Sequence, residues 1–301
     1  MARAGERSSR KSRASGATGE PEGGESRDNR GGDWEPLAFG GMARLHGIDF
    51  FGPGYMSVAD RRGSEIELRI DHSRSGPPRS PLVRRVSRWP LVRSGFFWGR
   101  LLLQLVGSVR GVIALLLTLL VLWLFTLLLE FGGRVGGDGL FGDALNLFAT
   151  FPVLPLLLLL FAGMKFTAIG RYHGAEHKAV AAYERDGEVT LPGAKRSGRI
   201  HPRCGTNILI YIILASLLAP VISWPPYAVL QFVLISEAWY VLGDTRASIA
   251  AGNFLQRYFT TSEPRRAELE VAVESLQRLV KAEAGEMNGE IGKTLQIPAR
   301  F

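Results

Sequence analysis

Long apolar segments constrain this chain more than any other feature of its sequence. Gly111–Leu129 contains 19 residues and no charged side chain. At about 1.5 Å per helical residue it nearly spans a hydrocarbon core of roughly 30 Å. Further apolar segments lie near residues 145–164, 207–223 and 226–243, and short Gly- or Pro-containing connections pair them. Residues 82–243 are therefore predicted to form the membrane domain of a mainly α-helical, polytopic protein with four transmembrane helices in two hairpins.

The distribution of positive charge predicts the orientation of these segments. Of the 36 Lys and Arg residues, nineteen precede Gly111, eight lie in the connection 165–206, and eight follow Gly243. The short hairpin turns contain one, Arg134. Because positive charge is retained on the cytoplasmic side, both termini and the connection are predicted to be cytoplasmic. The same distribution accounts for the net charge of +8 without nucleic acid, for which the sequence carries no binding motif.

The remaining chain divides into a tail, a small N-terminal unit and a C-terminal region. Residues 1–33 contain almost no apolar side chains and are predicted to be disordered. Residues 34–81 are rich in glycine, and the alternation of apolar and charged residues in Glu65–Ile70 predicts one strand of a cytoplasmic β-hairpin. The region 244–301 is predicted to be a cytoplasmic tail. Apolar residues recur at helical spacing near residues 264–282, which is typical of an amphipathic helix.

Three of the five histidines and the only cysteine lie close together in the cytoplasmic connection. His173 and His177 are four residues apart, which places both imidazoles on one face of a helix. With Glu176 they form the pattern H-x-x-E-H, the inverted form of a metalloprotease zinc motif. His201 and Cys204 follow in "HPRCG", at a spacing similar to that of short zinc-ligand pairs. The cluster predicts a site for zinc or another divalent transition metal.

The role of this predicted metal site has three interpretations. If all four candidate ligands bind, the ion is four-coordinate and the site is structural. If three of them bind, the fourth position can hold water, and Glu176 would be the general base of a hydrolytic reaction. In the third interpretation His173 and His177 are surface histidines of a cytoplasmic helix and bind no metal.

Glu237, within the fourth predicted span, is a second acidic candidate. An ionisable residue inside a membrane span is costly and by default indicates a functional site. Glu237 would lie some two turns from the cytoplasmic end, near enough to approach the metal site. Arg110 has a comparable depth in the first span, and the sequence favours a buried pair between Arg110 and Glu237.

Three motifs resemble the YqhQ family of uncharacterised bacterial integral membrane proteins, which are described as predicted metal-dependent enzymes. The motifs are "YHGAEHKAVAAYE" from Tyr172, "HPRCGTN" from His201 and "LQRYFTTSEP" from Leu255. The resemblance covers roughly residues 37–282. It implies a protein of the bacterial cytoplasmic membrane whose functional centre is formed by the His/Glu/His and His/Cys motifs. The family's glycine-rich opening segment is altered in this chain at Met42 and His46.

Two functions of different classes follow from these interpretations. The first is a metal-dependent hydrolase with a cytosol-facing site and a membrane-proximal peptide or lipid-linked substrate. The second is a non-enzymatic membrane factor for assembly or insertion, in which a structural zinc knot shapes the connection and other segments recruit a protein partner. Replacement of Glu176 by glutamine separates the two, because only the enzyme requires that carboxylate.

Overall fold

The structure combines an antiparallel β-sheet with a set of α-helices. This computed structural model describes residues 36–73, 81–87, 89–106, 139–151, 153–218, 222, 227–287 and 289–299, with short pieces between 112 and 132. The tail predicted for residues 1–33, parts of the first predicted span and Arg110 lie outside the described residues. The predictions made for them stay predictions.

The helices are numbered in chain order along the described residues. They are α1 (Pro81–Val86), α2 (Val92–Val106), α3 (Leu140–Thr150), α4 (Val153–Phe166), α5 (Ala168–Asp186), α6 (Leu191–Arg196), α7 (Ile208–Leu218), α8 (Tyr227–Leu242), α9 (Arg246–Leu255) and α10 (Arg266–Glu283). A 3₁₀ turn, Gly205–Asn207, leads into α7, and a π-helix, Gln256–Thr260, continues α9. π-helical turns are rare in proteins overall, but those that occur are often at functional sites. This one borders the candidate site.

Five strands of the described chain form the sheet, in chain order. They are β1 (Gly40–Ala43), β2 (Gly47–Phe51), β3 (Tyr55–Arg62), β4 (Glu65–His72) and β5 (Thr294–Pro298). The predicted hairpin is present as β3 and β4, and the chain reverses at Gly63 with a φ of 61°, which glycine adopts without steric cost. β5 pairs with β4, with Glu65 opposite Pro298. Residues near the C-terminus therefore complete a sheet that begins at the N-terminal side.

One face of the sheet packs against α5 and α10. On β4, Ile66, Leu68 and Ile70 are buried in this core, whereas Glu65 and Arg69 on the opposite face are exposed, which is the alternation expected of a half-buried strand. The helices contribute apolar side chains that include Ala175, Ala179, Leu276 and Leu279. Apolar burial of this kind stabilises a fold by about 25 cal/mol per Å², so this core holds the sheet and both helices together.

The amphipathic helix predicted near residues 264–282 is α10, which packs against both the sheet and α5. Its first turn is capped by Glu268, whose carboxylate accepts a hydrogen bond from Arg265 N at 3.0 Å. The hydroxyl of Ser275 lies 2.8 Å from that of Ser57 on β3, which satisfies two fully buried polar groups. The helix is thus a core element of the fold.

The prediction of four transmembrane helices is wrong. No single helix in the described part of the chain is long and apolar enough to cross a membrane. In the described residues α7 covers 11 positions and α8 covers 16, and at about 1.5 Å per residue neither described length reaches a hydrocarbon core of roughly 30 Å. One pair, Leu154–Phe166 and Ala168–Asp186, meets the length and composition criteria together, but it bends by 69° at the break.

The physical reason for this error is that apolar composition does not reveal where helical hydrogen bonding ends. The second predicted span is divided, because α3 ends at Thr150 and α4 begins at Val153. A second bend follows at Thr167, where the side chain caps a new helix. The apolar run at residues 145–164 is therefore divided between two helices, α3 and α4.

Candidate metal centre

Helix α5 carries the three residues of the predicted H-x-x-E-H pattern. Thr167 caps its N-terminus, since Thr167 Oγ1 accepts a hydrogen bond from Ile169 N at 3.2 Å. Gly187 ends the helix in the left-handed conformation, with a φ of 74°. His173 and His177 lie one turn apart with their ring centroids separated by 4.4 Å. The helix therefore brings both imidazoles together on its buried face.

Two glycines of α5 allow the chain at Ser262 to cross the helix closely. Ser262 N donates to Gly170 O at 2.8 Å, and a Cβ at Gly174 would lie only 2.2 Å from Ser262 O. Gly174 weakens an isolated helix by about 1 kcal/mol relative to alanine, but this crossing leaves no space for a side chain. The crossing brings the π-helix, which ends at Thr260, against the histidines.

Each histidine is oriented by a backbone carbonyl group. His173 Nδ1 donates to Thr260 O at 2.9 Å, and His177 Nδ1 donates to Arg199 O at 2.8 Å, which assigns the Nδ1–H tautomer to both rings. Their Nε2 atoms are consequently acceptors. Metal-binding histidines usually donate their other ring N–H in this way, so both rings have the orientation that ligands require.

The Nε2 atom of His173 contacts the thiol of Cys204, and His177 lies close to both. His173 Nε2 lies 3.3 Å from Cys204 Sγ, and one donor atom from each of these three residues lies within 4.8 Å of the others. His177 Nε2 is buried and has no hydrogen-bond partner among the described residues. An unpaired buried polar atom costs about 1–3 kcal/mol. Two imidazoles and a thiolate suit zinc and related transition metals, so this group can hold a metal ion.

Burial sets the protonation of the three donor residues. Desolvation lowers the pKa of His173 and, together with the charge of His173, lowers the pKa of His177 well below 6.5. Both imidazoles are therefore neutral at pH 7 and able to bind a metal. Desolvation also raises the pKa of Cys204 to about 11. Binding of a metal ion by the thiolate would thus release a proton.

Glu176 lies beside this group without belonging to it. Its carboxyl is buried, and desolvation raises its pKa from 4.5 to about 8. A Cβ at Gly41 would lie 2.4 Å from the carboxyl carbon of Glu176. Strand β1 can therefore cover this carboxyl only because residue 41 is a glycine. The charge of Glu176 also contributes to the raised pKa of Cys204. The carboxyl group, which has no hydrogen-bond partner among the described residues, is a candidate proton acceptor.

His201, predicted as a fourth ligand, is outside the donor group. Its ring lies next to that of His177, with centroids 5.8 Å apart, but its Nε2 is 3.1 Å from Glu184 Oε2. Arg203 binds the other carboxylate oxygen of Glu184. The structure therefore brings together three of the four predicted ligands. The fourth, His201, is hydrogen-bonded to Glu184.

Glu237 makes contacts that join α8 to the beginning of α2. Its Oε1 accepts hydrogen bonds from Ser94 Oγ at 2.7 Å and from Leu91 N at 3.0 Å, and Arg93 binds its Oε2. The hydrogen bond from Arg93 lowers the pKa of Glu237 to about 2. These contacts account for the acid as a structural group. The predicted pair with Arg110 involves a residue that the structure does not describe.

Sequence reasoning missed several groups that hold the site. Lys178 is buried, and its Nζ donates to Ser197 O at 3.0 Å and lies 2.8 Å from Glu263 Oε1. It therefore tethers the segment that presents Arg199 O to His177. Gln256, whose side chain binds the backbone of His201, was also missed. Both residues lie inside the quoted motifs, but sequence spacing does not reveal which backbone groups they bind.

The fold and the site together define a protein with a mixed helical and antiparallel-sheet architecture and a buried candidate metal centre. The chain belongs to the family described as "Protein of unknown function (DUF1385)", whose match covers residues 112–282. It is also 29% identical over 134 residues to the uncharacterized protein YqhQ of Bacillus subtilis (strain 168). The family resemblance seen in the sequence is confirmed.

The extent of this similarity limits what it establishes. The match to the Bacillus protein covers 38% of this chain and 41% of that relative. No solved structure matches the chain. The comparisons therefore establish the family, and the site itself must be interpreted from its chemistry.

Proposed function

We propose that this protein is a metal-dependent hydrolase whose centre is built on α5. His173, His177 and Cys204 bind a divalent transition metal such as zinc, and Glu176 acts as the general base. The proposal is carried by the buried Nε2 of His177, for which the described part of the chain offers no hydrogen-bond partner, in a group of three residues whose donor atoms lie within 4.8 Å of one another. The buried carboxyl of Glu176 lies beside this group.

A group of three donors favours catalysis over a purely structural ion. Structural zinc sites almost always have four protein ligands, whereas catalytic sites have three and leave one position for water or substrate. His201 is hydrogen-bonded to Glu184 instead of completing the set. A bound ion of this type supplies Lewis acidity, which acidifies water and polarises the bond to be hydrolysed.

Glu176 supplies the proton acceptor of the proposed reaction. Burial raises the pKa of its carboxyl to about 8, and a cation held by the neighbouring histidines would favour the carboxylate form. That carboxylate would take a proton from water and return it to the leaving group. Gly41 has no side chain, which allows β1 to pass over the carboxyl.

The burial of the donor residues favours a second candidate, a structural metal site in a non-enzymatic factor. His173, His177 and Cys204 are only 5%, 3% and 6% exposed. An ion bound to all three would link α5 to the loop before α7. Its binding free energy would then contribute directly to the stability of the fold. The protein would then act by binding a partner, in assembly or insertion of other proteins.

The proposed place of action rests on the sequence. The family resemblance supports a location at the bacterial cytoplasmic membrane. It also supports a membrane-proximal substrate or a protein partner, and no nucleic acid. These statements stay predictions.

Metal analysis of purified protein tests both candidates. We expect about one zinc or cobalt ion per chain in the wild type and loss of most of it in His177→Ala. Glu176→Gln should retain the ion, because Glu176 is not a donor. His201→Ala should retain it too, because His201 binds Glu184. A well-folded wild-type protein that binds no metal would exclude both candidates.

Cobalt spectroscopy then separates the enzyme from the structural site. If a coordination position is open, azide should enter it and shift the d–d absorption bands of the wild type and of Glu176→Gln. A spectrum that does not respond to azide would indicate a closed ion and support the structural candidate. His201→Ala serves as the matched control, since its spectrum changes only if His201 is a ligand.

A further inference from the structure

The loop that presents Cys204 to the histidines is closed by its own backbone. Cys204 N donates to His201 O at 3.2 Å, and Asn207 N donates to Cys204 O at 3.1 Å. These bonds set the shape of the loop, residues 201–207. They do not set its place against α5, which is what determines the position of the thiol.

Gln256, the first residue of the π-helix, attaches this loop to the rest of the fold. Its Oε1 accepts from His201 N at 2.8 Å, and its Nε2 donates to His201 O and to Asn207 Oδ1, both at 2.9 Å. Gln256 is fully buried, so the loss of any one of these bonds would leave a desolvated polar group. The amide thus binds both ends of the loop.

Two further residues make this attachment possible. Asn207 Nδ2 donates to Pro202 O at 2.9 Å, which fixes the orientation of the amide that Gln256 binds. A Cβ at Gly252, one turn before Gln256, would lie 2.4 Å from Asn207 Oδ1. Gly252 therefore leaves the space that the Asn207 side chain occupies.

The same π-helix also orients a histidine of the donor group. Gln256 begins the segment, and its last residue, Thr260, accepts the hydrogen bond from His173 Nδ1. A segment of five residues consequently contacts both the Cys204 loop and His173. Its geometry sets the distance between a thiol and an imidazole that come from different elements.

We propose that Gln256 is a positioning residue of the metal centre, which holds Cys204 Sγ at coordinating distance from the two imidazoles. The inference rests on the metal centre proposed above, although it does not require that the centre be hydrolytic. Gln256 does not contact the ion and acts through the backbone of His201 and the side chain of Asn207. Outer partners of this kind typically contribute 10–100-fold to metal affinity.

Zinc affinity of paired glutamine variants tests this role. Gln256→Met keeps an unbranched side chain of similar length and removes all three hydrogen bonds. Gln277→Met on α10 is the matched control, because Gln277 also donates to a backbone carbonyl, that of Val189, outside the loop. By competition with a chromophoric chelator, we expect about 10–100-fold weaker binding for Gln256→Met and wild-type affinity for Gln277→Met.

The cobalt-loaded proteins give a second measurement, which a purely structural role would not change. The thiolate-to-cobalt charge-transfer band should weaken in Gln256→Met relative to its d–d bands, because the thiol is the ligand displaced. It should be unchanged in Gln277→Met. If Gln256→Met does not fold, Gln256→Glu replaces it, since the carboxylate still accepts from His201 N but loses both donated bonds.

The possible outcomes separate this inference from the proposed function. Wild-type affinity and charge-transfer intensity in the folded Gln256 variant would overturn the positioning role, as would an equal loss in Gln277→Met. Absence of metal in the wild type would overturn the metal centre and the positioning role together. If azide does not change the spectrum of the bound ion and the Gln256 variant binds metal more weakly, only the proposal of a hydrolase would be overturned.

Discussion

Glu176 shows how burial changes the chemistry of a single carboxyl group. Its position in "HGAEH" indicates a general base by motif alone, but the structure adds that the carboxyl lies under Gly41 of β1 and is desolvated. A pKa raised to about 8 means that the folded protein keeps a proton that the unfolded chain releases above pH 4.5. Without a metal ion, the contribution of this carboxyl to the free energy of unfolding therefore decreases as pH rises.

The first prediction concerns the pH dependence of metal-free protein. Relative to Glu176→Gln, the free energy of unfolding of the wild type should fall as pH rises from about 4.5 to about 8, because the folded pKa of Glu176 exceeds the unfolded one. The lowered pKa values of His173 and His177 act in the opposite direction below pH 6.5 and are common to both proteins. Glu176→Gln lacks the contribution of the carboxyl group. Between pH 5 and pH 8, its free energy of unfolding should therefore increase by up to about 3 kcal/mol relative to that of the wild type. Urea unfolding with chelator present measures the difference.

An exposed carboxylate provides the control for that experiment. Glu65 lies on the exposed face of β4, and Glu65→Gln is the matched substitution that removes one carboxyl group without changing Glu176. If Glu176→Gln and the wild type lose stability equally with pH, Glu176 does not retain its proton in the folded state.

At the scale of elements, helix α5 illustrates a glycine required by a chain crossing. Gly174 lies between the two histidines, where helix propensity alone favours alanine. The crossing at Ser262, however, places a carbonyl oxygen 2.2 Å from a Cβ at that position. The same crossing delivers Thr260 O to His173, so the glycine and the orientation of the imidazole depend on each other.

The second prediction compares two glycine-to-alanine substitutions in neighbouring helices. Gly174→Ala should lower the free energy of unfolding, because overpacking costs about 1–3 kcal/mol and exceeds the roughly 1 kcal/mol gained in helix propensity. Gly163→Ala on α4 is the matched control, since a Cβ there meets nothing within 4 Å, and it should be neutral or stabilising. Thermal and urea unfolding of both variants provide the test, and equal effects would contradict the crossing.

At the scale of the whole molecule, β5 joins the two ends of the described chain. It pairs with β4 along Glu65–Arg69, and Leu295 and Ile297 pack against the core. β4 is therefore an interior strand, although nothing in its own sequence distinguishes it from an edge strand. An uncovered β4 would present unpaired backbone groups that promote association.

The third prediction is the effect of removing β5. A chain ending at Lys293 should lose about 2–3 kcal/mol of stability, the contribution of two partly buried aliphatic side chains, and should associate through the free edge of β4. Urea unfolding and light scattering at several concentrations measure the two effects. Leu295→Ser with Ile297→Ser keeps the strand and separates lost packing from the exposed edge. A truncated chain as stable and monodisperse as the full one would show that β5 is dispensable.

The fold was predictable only where local sequence is sufficient. The alternation in Glu65–Ile70 and a glycine in the turn predicted the β3–β4 hairpin, and helical spacing predicted α10. The transmembrane prediction failed because an apolar run indicates burial without indicating helix length. The end of α3 at Thr150 and the start of α5 after Thr167 come from the hydrogen bonding of the folded chain.

By itself, the sequence determined the types of donor and the spacing of His173 and His177, because positions four residues apart share a helix face whatever surrounds them. Only the tertiary structure decided which donors meet. Cys204 lies next to the imidazoles because Gln256 binds the loop that carries it. His201 is hydrogen-bonded to Glu184 and is not part of the donor group. Such contacts join residues far apart in sequence. They depend on the packing of the whole chain, which no local pattern encodes.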